Sequence, residues 1–227
     1  MPHPTLALII PVGPGDDSWI ALLPWLRQAQ LDIGAGSPPR VIFSACVPRP
    51  SRPEIQPTWD WLVGEPGRAA QLNRGAAVAS AEWLWFMHAD SRPAKDALPA
   101  LRASIAARPQ ALHWFPLAFH DGSLLTRLNA LGANWRSRRG LPFGDQGLCL
   151  RRSDLDRLGG FDVHFGRGED LALVVRARQA GIELAEVAST ISTSARRYRQ
   201  QGWLRTTIEH WWLTRRMLAR ARRSPSA

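Results

Sequence analysis

Trp83-Leu-Trp-Phe-Met-His-Ala-Asp90 is the stretch from which the fold can be read. Trp83 to Met87 is a continuous apolar run without polar alternation, as expected of a strand buried on both faces, and it ends in His88 and Asp90. Two runs of the same kind precede it. Leu6 to Ile10 is stopped by Pro11 and a Gly-Pro-Gly turn, and Val41 to Ala45 runs into a proline-rich loop from Val47 to Pro57. Helical spacing separates these runs. Trp19 to Leu31 places Ile20, Leu23 and Leu26 on one side, with Asp17 or Ser18 as its cap, and breaks at Gly34 to Pro39. Arg68 to Ser80 follows a Gly64-Glu-Pro-Gly67 turn and carries Ala69, Leu72 and Ala76 as a stripe.

Beyond Asp90 the alternation continues. The pattern predicts a helix from about Ala94 to Ala107 and strands over Leu112 to Phe119 and Gly147 to Leu150. A short helix over Asp154 to Leu158 closes at Gly159-Gly160, and a longer one over Glu169 to Ala180 closes at Gly181. Strands alternating with helices predict an α/β fold, a mostly parallel sheet flanked by helices on both faces. The last stretch, Trp203 to Arg223, has helical spacing and is both aromatic and basic, with a frayed tail after it. No internal repeat or domain boundary is visible, so residues 1–227 read as a single domain, long enough to bury a core.

Composition narrows the function classes. Hydrophobic residues make up 45% and charged residues 21%, which fits a folded chain and excludes a disordered one. Cys46 and Cys149 lie far apart in apolar runs, without the spacing of a zinc site or a disulfide framework. No run approaches the roughly 20 apolar residues of a spanning helix, and the N-terminus lacks a signal-peptide pattern. A cytoplasmic location is expected from these absences. The formal charge of +10 is concentrated in arginine, from Arg127 to Arg139 and again from Arg196 to Arg223. Nucleic acid, an anionic membrane and a phosphorylated small molecule each suit such a chain.

In a parallel sheet, ligands bind outside the carboxyl ends of the strands, where Asp90 falls. A carboxylate there can hold a divalent ion that bridges nucleotide phosphates, or it can simply close a turn before Ser91-Arg-Pro93. Gly67-Arg68 opens a helix whose first amides suit a phosphate, with Gln71 and Asn73 as candidates for a base or ribose. The alternative is a surface arginine and amides satisfied by nearby backbone. Glu169-Asp170 begins a helix, where acids are favoured by the dipole and where one can also accept a proton from an attacking hydroxyl. Phe143-Gly-Asp145-Gln146-Gly147 suits a tight loop near a ligand, or a polar turn. The fingerprints of dinucleotide-binding, P-loop, zincin and α/β-hydrolase sites are all missing.

Taken in order, these segments resemble the family 2 glycosyltransferases. The resemblance is carried by Ile9-Ile-Pro-Val12, Gly67-Arg-Ala-Ala-Gln-Leu-Asn-Arg-Gly75, Trp85-Phe-Met-His-Ala-Asp90, Phe143-Gly-Asp-Gln-Gly147, Leu158-Gly-Gly-Phe161, Glu169-Asp170 and Thr193-Ser-Ala-Arg-Arg197. It covers roughly residues 5–210 and is strongest to a small bacterial subgroup described as selenodomain-associated transferases. It implies a GT-A fold with a donor-binding part over about 5–110, an acceptor and catalytic part over about 111–200, and the basic aromatic helix over about 203–223.

The resemblance also implies roles. Asp90 matches the last acid of the family's Asp-x-Asp-type motif, a ligand of manganese or magnesium and of the donor diphosphate, with His88 standing where relatives carry the first acid. Asp170 matches the catalytic base, with Glu169 beside it. Pro11, Arg68 and Asn73 line the nucleotide-sugar donor, Arg196 and Arg197 clamp its diphosphate or an acidic acceptor, and Asp145 and Gln146 face the acceptor. The reaction implied is an inverting displacement onto an acceptor hydroxyl. The terminal helix, with Trp203, Trp211 and Trp212 among arginines, suits the inner face of an anionic membrane and a lipid-linked acceptor, or equally packing of those tryptophans onto the domain or against a second subunit.

Two departures stand against this. Ser44-Ala-Cys-Val-Pro48 lacks the acid that relatives carry after the second strand, and Gly13-Pro-Gly-Asp16-Asp17 differs from the usual first loop, leaving Asp16 or Asp17 as substitutes. The alternative function is a non-catalytic relative with a decayed donor site that docks on membranes or partners. A nucleotidyltransferase is disfavoured because no base follows the first strand, and nucleic acid is not expected because the arginines are not interleaved with exposed aromatics.

Overall fold

The computed structural model describes residues 4–31, 37–195, 215, 216 and 219. Among residues 4–195 that are described, ten strands and six α-helices follow one another: β1 (Leu6–Val12), α1 (Leu23–Leu31), β2 (Arg40–Ala45), β3 (Asp60–Val63), α2 (Arg68–Val78), β4 (Trp83–Phe86), β5 (Arg92–Pro93) and α3 (Ala97–Ala107) come first. Then come β6 (Leu112–Trp114), β7 (Leu117–Phe119), α4 (Leu124–Arg138), β8 (Cys149–Arg151), α5 (Arg152–Arg157), α6 (Glu169–Gln179), β9 (Leu184–Glu186) and β10 (Ile191–Thr193).

Seven strands form the main sheet in the order β3-β2-β1-β4-β8-β6-β9, and β5-β10-β7 form a small second sheet. The main sheet is mostly parallel; β8 alone runs against its neighbours β4 and β6. The three apolar runs seen in the sequence are therefore the adjacent central strands β2, β1 and β4.

β1 shows why an unalternating run belongs in the middle. Leu6, Leu8, Ile10 and Val12 pack on one face with Trp19, Leu22 and Leu26 and with Leu98 and Leu101 of α3. Ala7 and Ile9 pack on the other face with Leu72 and Ala76 of α2 and with Leu173 and Val174 of α6. Successive side chains point to opposite faces, so a strand covered on both sides needs apolar residues throughout. Each fully buried aliphatic chain contributes about 1.5–3 kcal/mol. α2 can approach this closely because of Gly75, where a Cβ would stand 2.5 Å from Ile9 Cγ2.

Four local expectations are corrected. The helix expected over Trp19 to Leu31 is a 3₁₀ turn, Ser18–Leu22, followed by α1, because Pro24 has no N–H for a bond to Ile20. Neither Asp17 nor Ser18 caps it by side chain; the Asp16 carboxylate accepts the Ser18 N–H at 2.9 Å instead. The strand expected over Leu112 to Phe119 is two strands in different sheets, split where Pro116 cannot donate. β3, β5, α4, β9 and β10 form where no element was expected. Most of the stretch expected as a C-terminal helix lies outside the described residues; Arg215, Arg216 and Ala219 are helical and exposed.

Candidate active site

The carboxyl end of β4, the N-termini of α2 and α6, and the loop before β8 meet at one place. The Arg68 guanidinium is its centre. It ion-pairs with Glu169, and it donates to Asp170 Oδ2 at 3.0 Å and to His88 Nε2 at 3.0 Å. Since arginine only donates, Nε2 of His88 is the acceptor and the imidazole is neutral there. Burial and the Arg68 charge push the histidine down to about 4.

Glu169 and Asp170 are buried, at 2% and 5% exposure, so their charges require partners. Glu169 also accepts the Gly168 N–H at 3.0 Å. Asp170 accepts the Gly144 N–H at 2.6 Å and the Leu171 N–H at 2.8 Å. Burial alone would raise its pKa, but Arg68, His88 and these two amides outweigh burial and hold it below the ordinary carboxylate range. Arg68 is shifted the other way: burial opposes its charge, and Asp170 and Glu169 more than restore it.

The Gly144 contact explains one glycine of the Phe143–Gly147 segment. A Cβ at residue 144 would stand 2.6 Å from Asp170 Oδ2 and 3.0 Å from His88 Nε2. Only glycine lets the backbone come this near. The next residue, Asp145, senses Asp170, Arg68, Asp90 and Arg136, and its Oδ1 is buried without a hydrogen-bond partner among the described residues. Burial pushes its carboxyl up to about 6.

Asp90 lies on the other side, where Oδ2 accepts the Thr193 hydroxyl at 2.9 Å. The role of Thr193 was not legible beforehand, because it depends on β10 returning beside β5 and β7. Among the described residues no three His, Cys, Asp or Glu side chains converge on a metal position. In this arrangement the Arg68 guanidinium occupies Nε2 of His88, so that nitrogen is not open to a metal while Arg68 stays there. Asp90 is left as a single carboxylate, which fits an ion carried in with substrate phosphates rather than one held by protein alone.

Several sequence expectations are corrected. Gln146 is fully buried; its amide donates to Phe115 and Asn134, and its carbonyl accepts from Ser137 and from the Phe143 N–H. With both ends engaged, Gln146 is a packing residue, not an acceptor contact. Asn73 makes two bonds to the backbone of Phe161, at 2.7 and 2.8 Å, and so fastens α2 to the loop before α6. Gln71 donates to Val12 and Ser44 carbonyls, joining β1 to β2. Pro11 is buried within β1, opposite Ser44. Asp16 is taken up by its own turn. Arg196 and Arg197 lie outside the described residues.

Sheet order, flanking helices and a charged site at the strand ends define the class: this is a GT-A-like glycosyltransferase fold. Residues 63–154 match the family described as Glycosyl transferase family 2. S. aureus TarS has a similar structure, with a TM-score of 0.64 at 14% identity, over 84% of this chain and 37% of that one. TarS 1-349 in complex with UDP-GlcNAc gives 0.61, and in complex with UDP 0.62, each at 14% identity and over 84% of this chain. The chain spans 37% to 60% of the length of these structures, and at this identity the likeness establishes the fold. No curated protein matches the chain by sequence.

Proposed function

We propose that the chain is a nucleotide-sugar-dependent glycosyltransferase of the small selenodomain-associated kind, acting by inverting displacement. The observation that carries this reading is Arg68, seated at the start of α2 and ion-paired to both Glu169 and Asp170. A helix N-terminus with an arginine suits a diphosphate. An arriving diphosphate competes with the two carboxylates for the guanidinium. As Arg68 turns to it, Asp170 loses the partner that holds its pKa down and becomes a better proton acceptor.

The acceptor hydroxyl then attacks the anomeric carbon, and its proton passes to Asp170. The bond from that carbon to the diphosphate oxygen breaks, and the electron pair leaves with the nucleoside diphosphate. Glu169 keeps Arg68 at the site, and Asp145 orients the acceptor. Arg196 and Arg197 remain candidates for the diphosphate. A manganese or magnesium ion arriving with the donor would rest on Asp90 and would neutralise charge on the leaving diphosphate. The acceptor, lipid-linked or free, meets the site from the side of Asp145, on the inner face of the membrane.

The missing acid after β2 favours the second reading, a relative that no longer turns over. Both readings are tested by assaying release of nucleoside diphosphate from a panel of nucleotide sugars. The transferase reading predicts turnover of one donor and a loss of roughly 10²- to 10⁴-fold in kcat for Asp170→Asn, with an unchanged far-ultraviolet circular dichroism spectrum. Turnover that survives the substitution would remove Asp170 from the base role. A panel without any turnover would favour the non-catalytic relative.

A further inference from the structure

α4 is inside out. Its small residues, Thr126, Ala130 and Ser137, are buried against the domain, while Leu124, Leu128, Leu131 and Trp135 are 75%, 57%, 64% and 59% exposed. These four recur at intervals of four, three and four residues, so they form one stripe along the helix. Single exposed leucines are ordinary, but a continuous stripe of three leucines and a tryptophan marks a surface that binds something.

Charge identifies the occupant. No acidic residue occurs in α4, and the stripe is edged by exposed Arg127 and Arg139 and by Arg138, which is ion-paired with Glu186. The Arg139 guanidinium lies 3.3 Å from the centroid of the Trp135 ring, at the end of the stripe. A second copy on this face would bring arginine against arginine. An anionic lipid surface accepts both parts, the leucines and tryptophan at the acyl boundary and the arginines among the headgroups.

We propose that the outward stripe of α4 docks the protein on an anionic membrane surface. The inner side of the same helix reaches the candidate site: Ser137 donates to Gln146 at 2.6 Å, next to Asp145, and Arg136 packs over Phe143 at 3.8 Å. Docking therefore sets the acceptor side of the site close to the headgroups. The docking surface is independent of the glycosyltransferase reading.

The test uses the full chain and co-sedimentation with vesicles of phosphatidylcholine alone or mixed with phosphatidylglycerol. The wild type is expected to sediment with the mixed vesicles and to be released by salt. Leu128→Gln/Leu131→Gln is expected to weaken that binding by about tenfold or more, while Leu128→Met/Leu131→Met keeps it. Both substituted positions are exposed, so thermal unfolding should be unchanged. Three results would overturn the proposal: no binding to the mixed vesicles, equal binding by the Gln variant, or a wild-type dimer in sedimentation velocity that the Gln variant converts to monomer. The second would assign binding to another segment, and the third would make this face a contact between copies.

Discussion

Asp145 and Asp170 belong to the same site but differ in how they are satisfied. Asp170 has a guanidinium and two backbone amides; Asp145 has a buried oxygen without a hydrogen bond among the described residues. The first is held strongly ionised and the second is pushed up from 3.8 to about 6. Between those two values the unfolded chain is ionised at Asp145 while the folded one keeps its proton. Folding therefore takes up a proton, and Asp145 costs stability increasingly as pH rises through about 6, with the full cost above it. Asp145→Asn is expected to be more stable than wild type at pH 8 by about 1–3 kcal/mol, and the gap to close near pH 4. Urea unfolding across that pH range measures it; a gap that does not vary with pH would contradict the assignment. An acid kept at such a cost fits a residue that meets a ligand. The positions of Asp90 beyond a strand end and of Arg68 and Asp170 at helix starts were legible in the sequence, because strand ends and helix starts can be located from periodicity. The amides of Gln146 and Asn73 were not, because their partners Asn134, Ser137 and Phe161 are distant in sequence and are brought near by elements packing together.

The elements repeat that division. β1, β2 and β4 were legible because burial on both faces leaves an unbroken apolar run, and α2 because Gly67 and a stripe of small residues mark it. α4 was not legible because it reverses the usual rule: its apolar residues face outward and its small polar ones inward. β3 escaped as a short edge strand whose residues are not fully buried. Pro116 reads as an interruption, but the sequence does not say that the chain changes sheets there. Packing between elements has its own prediction. Gly75→Ala places a methyl 2.5 Å from Ile9 Cγ2, at the contact between α2 and the central strand. Overpacking of this kind costs about 1–3 kcal/mol, although alanine is the better helix former. The urea midpoint should fall with an unchanged m-value; an unchanged or higher midpoint would mean that α2 can shift away from β1.

For the whole molecule, the formal charge of +10 looked at first like an electrostatic surface. Much of it is instead internal carpentry. Arg40 donates to Val78, and Arg152 to Ala76, Ala79 and Ala81, so that two guanidinium groups satisfy carbonyls at and just beyond the end of α2. Arg49 holds the loop before β3 through Ile55, Gln56 and Trp59, Arg74 joins Ala45 and Glu65, and Arg176 binds Leu158 and Gly160. Arginine suits this work because its five donors reach several acceptors at once. Composition could count these residues but could not assign them, since the carbonyls they reach are set by how the chain folds. Among the described residues Arg68 stands at the strand ends paired to carboxylates rather than to carbonyls, where an arriving diphosphate would meet it.

That claim is tested most directly by thermal unfolding with nucleoside diphosphates and nucleotide sugars, with and without manganese, for wild type, Arg68→Ala and Asp90→Ala. One nucleotide is predicted to raise the wild-type midpoint, by the equivalent of about 2.7 kcal/mol at a hundredfold excess over its Kd. The rise should be lost in Arg68→Ala and, in its dependence on manganese, in Asp90→Ala. If no nucleotide shifts the wild-type midpoint, or if the shift survives Arg68→Ala, the donor site is not where Arg68 places it.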